Sequence, residues 1–102
     1  MIQDTVLQQV VSLLTSYQGV EEVYLFGSRS NGTASERSDY DIAIRTNGIS
    51  DKEFNLLSLQ VQEDIFTLHK IDLVHLNTLS NPALLDNIIH KGSLLFKRIP
   101  QS

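Results

Sequence analysis

The chain of 102 residues contains no cysteine, so neither a disulfide framework nor a thiolate metal site is possible. No apolar run approaches membrane-spanning length, and the opening Met1-Ile2-Gln3-Asp4 lacks the basic start and apolar core of a secretory signal. A cytoplasmic protein that does not enter a membrane is the expectation. A basic excess is also missing: eight Lys and Arg stand against twelve Asp and Glu, for a formal net charge of -4. Affinity for nucleic acid comes mainly from phosphate neutralisation by cations, so no general nucleic-acid binding is expected. There is no repeat and no low-complexity segment. What is present is 41% apolar residues in a length suited to one core, read as a single domain over residues 1–102.

The pattern of those apolar residues predicts alternating helices and strands. Asp4 is placed to cap a helix whose Val6, Val10, Leu13, Leu14 and Tyr17 recur at three- and four-residue spacing, ending at Gly19. A short strand over residues 23–26 follows, then a polar loop with a helical turn after Ser28, then a strand over residues 42–44 led in by Asp39-Tyr40-Asp41. Ser50 and Glu53 form a capping-box pair opening a helix to about residue 70, with Phe54, Leu57, Val61, Ile65 and Leu68 on one stripe. The next strand covers residues 71–76, and a helix between two strands implies that they are parallel. Asn81 and Pro82 start a last helix that buries Leu84, Leu85, Ile88 and Ile89 and stops at Gly92, before a final strand over residues 93–96. The fold class is α/β (α+β), a mixed sheet of three to four strands flanked by helices.

Chemistry concentrates in residues 23–44. Strand alternation points Asp39 and Asp41 the same way and Tyr40 and Ile42 the other. Two carboxylates on one patch raise each other's pKa, a conflict that a hard divalent cation removes by taking their oxygens and completing its shell with water and phosphate. Gly27 lets the backbone approach a ligand, and the Ser28 hydroxyl with successive N–H groups suits a phosphate. Arg29 beside that turn is a candidate partner for a triphosphate, and Arg37 a weaker one. Asp72 is the anomaly of its strand, an acid among apolar residues expected to be central in the sheet. It lies at the same end of its strand as Asp39 and Asp41 do of theirs, so parallel pairing brings a third carboxylate to the patch. His69 and His90 read as helix-end residues favourable to the dipole, and the facing of His75 is open.

Gly27-Ser28, ten residues, then Asp39-x-Asp41 resembles the signature of the DNA polymerase β-like nucleotidyltransferases, and Arg29 with Gly32 resembles the G-S-R-x-x-G form of small prokaryotic members. Ser30, Asn31 and the polar Ser35-Glu36-Arg37 depart from the usual loop and leave the choice of nucleotide open. The resemblance implies Asp39, Asp41 and Asp72 as catalytic residues and ligands of two Mg²⁺ ions, and Gly27, Ser28 and Arg29 as nucleotide-binding. A core without an added substrate domain looks like the minimal nucleotidyltransferase (MNT) antitoxins. That likeness implies transfer of AMP from ATP to a tyrosine of a HEPN-type ribonuclease toxin. Transfer to a small molecule or RNA, and a non-catalytic toxin-binding module, stay open as alternatives.

Overall fold

The computed structural model describes residues 4–32 and 39–99, and Arg37 and the Ser35-Glu36-Arg37 segment lie outside them. Helix α1 (Thr5–Thr15) begins where predicted: the Asp4 carboxylate accepts from the N–H groups of Val6 at 2.8 Å and Leu7 at 3.2 Å. It ends before Gly19. Arg98 accounts for the earlier stop by donating to the carbonyls of Thr15 (3.2 Å), Tyr17 (3.3 Å) and Val20 (3.1 Å), satisfying groups that a helix end leaves orphaned.

Strand β1 (Val20–Phe26) runs three residues earlier than expected. Glu22, which breaks the apolar pattern, is buried in the strand because Arg45 donates to its carboxylate at 2.6 Å. Helix α2 (Ser28–Asn31) is the expected single turn, and strand β2 (Tyr40–Thr46) includes Asp41 while Asp39 immediately precedes it. Helix α3 (Asp51–Asp64) opens with the full Ser50–Glu53 capping box. It stops well short of residue 70: the Lys70 carbonyl already accepts from Tyr40 N–H at 2.9 Å, so residues 66–69 must serve as the connection. Leu68, expected on the buried stripe, is consequently fully exposed, and His69 is not at a helix end.

Strand β3 (Ile71–His75) leads through a 3₁₀ turn (Leu76–Thr78) to helix α4 (Pro82–Lys91), capped by Asn81 with Pro82 in its first turn, and to strand β4 (Ser93–Lys97). Of the four residues expected on the buried face of α4, Ile88 is fully enclosed, Leu84 and Leu85 are partly covered, and Ile89 is 45% exposed. The sheet order is β3-β2-β1-β4, with β1 antiparallel to β2 and β4, and β2 parallel to β3 as the crossover required. This is the mixed α/β sheet that the pattern implied. Val10, Leu14, Val23, Ile42, Ile44, Leu57 and Val61 form the core between one face and α1 and α3, while Tyr24, Ala43, Leu76 and Ile88 pack on the other under α4.

Candidate active site

Alternation along β2 sends Tyr40, Ile42 and Ile44 into the α1–α3 core and leaves Asp41 on the face of Ala43. In the parallel ladder Asp41 is paired with Asp72, so the two carboxylates share that face at the same end of neighbouring strands. One expectation is corrected here: β3 is an edge strand, not a central one. An edge leaves an acid open to water, and the Asp72 side chain is 41% exposed, with Lys70 Nζ 3.4 Å from its Oδ1. Asp39 is exposed just ahead of β2.

On the other side of Asp41 lies Phe26, its partner in β1, and the chain then turns through Gly27 at φ 77°. An L-residue rarely adopts that conformation, and a Cβ at Gly27 would collide with Asp41 Oδ2. The backbone of the Gly-Ser turn therefore lies directly against the carboxylate. Ser28 opens α2, where Ser30 N–H donates to the Gly27 carbonyl at 3.1 Å, and Ser30 Oγ meets Ser93 Oγ at 3.0 Å, tying the turn to β4.

Burial pushes the Asp41 carboxyl above its ordinary pKa, and the charges of Asp72 and Asp39 push it further, against a smaller opposing pull from Lys70. All three aspartates thus act on one point electrostatically. Among the described residues no three acidic, histidine or cysteine side chains close around a single position as a ready-made metal cage. The donor set still suits a hard cation: carboxylate oxygens in mutual repulsion, beside a glycine turn packed too tightly for a side chain. The residues fit Mg²⁺ held partly by substrate phosphate, the usual arrangement for that ion.

Arg29 is placed differently from the rest of the predicted set. Its guanidinium lies 3.9 Å above the centre of the Tyr40 ring, and Tyr40 faces the opposite layer from Asp41. The Tyr40 hydroxyl donates to Asp4 Oδ2 at 2.7 Å, and burial together with that bond pushes its pKa up to about 12. Sequence reading gave Tyr40 no part beyond alternation. The signal was its place inside D-x-D: the middle residue must enter the core behind the carboxylates.

His75, undecided from sequence, faces away from the aspartates. It is paired with Ile44 in the ladder, stacks on Phe54 of α3 at 4.5 Å, and joins Thr46 Oγ1 through Nε2 at 2.6 Å. His90 pairs with Asp86 in the last turn of α4, as a helix-end histidine should. A concavity of about 550 Å³ lies at the far end of β1 and β2 among Tyr17, Asn47, Ile49, Leu56 and Gln60. It holds one carboxylate, Glu53, and no cluster of like charges, so the chemistry points to the aspartates instead.

The chain belongs to the family described as polymerase beta, nucleotidyltransferase, whose model matches residues 8–101. Among solved structures, it is similar to a mutant of the toxin-antitoxin MntA-HpeT, at 25% identity and a TM-score of 0.70 over 89% of this chain and 72% of that one. It is also similar to a toxin-antitoxin solved with AMP-PNP (23% identity, TM-score 0.66, 95% and 75% covered). The toxin-antitoxin MntA-HepT matches at 20% identity and a TM-score of 0.68, over 94% of this chain and 74% of that one. Comparison with curated protein sequences finds no match. No helix among the described residues is long and apolar enough to cross a membrane.

Proposed function

We propose that the chain transfers AMP from ATP to a tyrosine hydroxyl of a HEPN-type ribonuclease toxin and so acts as that toxin's antitoxin. The observation that carries the chemistry is the Asp41–Asp72 pair on parallel strands with the Gly27 backbone seated on Asp41. The likeness to toxin-antitoxin structures, one with an ATP analogue, supports the nucleotide and the kind of partner.

In this reading Gly27 and Ser28 receive the phosphates, the glycine by close backbone approach and the serine through its hydroxyl, with Arg29 adding positive charge on the same turn. Asp39, Asp41 and Asp72 would hold two Mg²⁺ ions, whose chemistry when bound is Lewis-acid stabilisation of the attacking and leaving oxygens. The acceptor hydroxyl oxygen forms a bond to the α-phosphorus as the bond from that phosphorus to the bridging oxygen breaks, and pyrophosphate leaves with the electron pair. Asp72 takes the phenolic proton. Its place on the edge strand, partly open to solvent, lets a macromolecular acceptor reach it.

The test is transfer from α-labelled ATP with Mg²⁺ to the product of the adjacent gene, comparing wild type with Asp41→Asn. Label on the partner with wild type alone is expected. Label on RNA or a small molecule instead would move the reading to those acceptors, and a stable complex without label under any nucleotide would leave a binding module.

A further inference from the structure

Tyr40 stands between the two aspartates of the signature and is 3% exposed, and strand alternation turns its side chain to the face opposite Asp41. It contacts other elements of the site. Its hydroxyl is held at 2.7 Å by Asp4, which with its other oxygen caps α1. Its face carries Arg29, two residues beyond Gly27, and its ring lies roughly perpendicular to that of His69, centroids 5.6 Å apart, on the connection that delivers Asp72. One ring therefore touches the α1 cap, the phosphate-side turn and the lead-in to β3. The turn has need of such a tie. Gly27 has wide conformational freedom, and a helix of four residues is far too short to hold itself in place.

We infer that Tyr40 is a positioning residue: anchored on Asp4, its ring clamps Arg29 and thereby holds the Gly27–Ser28 turn against Asp41. The inference rests on the proposed reading of the site as nucleotide-binding and adds the device that sets its geometry. The ring, not the hydroxyl, is the part that meets Arg29; the hydroxyl fixes where the ring stands.

The experiment measures two quantities on the full chain: affinity for AMP-PNP with Mg²⁺ by calorimetry, and hydrogen exchange at the Ser30 amide, which closes the turn onto Gly27. Tyr40→Leu should weaken AMP-PNP binding about tenfold and speed exchange at Ser30, as loss of a partly buried cation–ring contact implies. Tyr40→Phe keeps the ring but loses the Asp4 anchor, and should weaken affinity by about threefold, between wild type and Tyr40→Leu. Wild-type affinity and Ser30 protection in Tyr40→Leu would overturn the inference, as would a Phe variant no better than Leu. If Tyr40→Leu does not fold, Arg29→Lys replaces it, removing the flat cation while keeping the charge. Unchanged affinity and protection there would equally overturn the clamp. Wild type binding no nucleotide would defeat the proposed function instead, while Ser30 exchange in the variants would still decide whether the ring holds the turn.

Discussion

Two ionisable residues of β3, Asp72 and His75, sit on the same parallel ladder three residues apart, and the pairs they form have opposite fates. Asp41 faces Asp72 at one end, and His75 faces Ile44 at the other. Burial disfavours the charge on Asp41, and the like charges of Asp72 across the ladder and of Asp39 disfavour it further. His75 instead enters the α1–α3 core, where Thr46 and Phe54 receive it as a neutral ring. An odd step along a strand changes the face, and the face decides whether an ionisable group does chemistry or packs. Like charges brought together on one face raise a carboxyl pKa, whereas burial in the opposite face lowers that of an imidazole.

The sharpest way to test that contrast is to remove charge at the first pair. Asp41 has a raised pKa, so its stabilising effect is present at low pH and is lost as pH rises from the ordinary aspartate value through the folded one. At neutral pH its ionisation opposes folding. Asp41→Asn should therefore leave the melting temperature unchanged or higher, while transfer falls on the order of a thousandfold. A melting temperature that dropped sharply would mean that the carboxylate is structural.

Gly27→Ala comes next. Positive φ and the collision with Asp41 Oδ2 together should cost about 1–3 kcal/mol in urea unfolding, and nucleotide affinity should fall with it. Normal stability and affinity would show that the turn can move off the carboxylate.

At the second pair the sign reverses. Burial lowers the His75 pKa, with Asp51 opposing less strongly, so the folded state resists its protonation. Stability should be full above the ordinary histidine value of about 6.5 and decline as pH falls from there to the folded value. Asp4 and Glu22, whose pKa values are lowered, lose their contributions only below the ordinary carboxylate range, and Asp41 acts with the opposite sign, so a loss of stability on acidification just below the ordinary histidine value belongs to His75. Replacing His75 by Phe should flatten the unfolding free energy as pH falls below about 6.5; an unaltered slope there would assign it to other groups.

The smallest effect is expected at Asp4→Asn, which keeps a capping side chain and an acceptor for Tyr40. A loss of about 0.5 kcal/mol or less in thermal unfolding is expected, against about 1 kcal/mol for Asp4→Ala. Equal losses in the two would show that the negative charge, rather than the cap and the acceptor, is what matters.

Most of the element order was legible because the caps are local chemistry: Asp4, the Ser50–Glu53 box and Asn81-Pro82 each mark a helix start within a few residues. The ends were not. The stop of α1 depends on Arg98, more than eighty residues away in the chain, and the stop of α3 depends on Lys70 being drawn into the ladder beside Tyr40. Likewise Glu22 reads as a surface residue until Arg45 is placed across the sheet from it. In the site, the Gly27-Ser28 turn and the nearness of Asp72 to Asp41 were readable, since each follows from spacing or from parallel pairing, whereas Asp39 falls just outside the strand whose alternation was to orient it. The stacking of Arg29 on Tyr40 was not, because a side chain next to a motif can leave in more than one direction.

The residues alone determined the mixed α/β plan, the parallel β2–β3 pair and the grouping of acids at its end, since periodicity and strand alternation are properties of the chain itself. Tertiary structure alone decided that β3 lies at an edge, that Asp41 sits against a glycine backbone, and that Tyr40 joins Asp4 to Arg29. These depend on which distant segments meet, and on how burial and neighbouring charge then act on each group, neither of which spacing encodes.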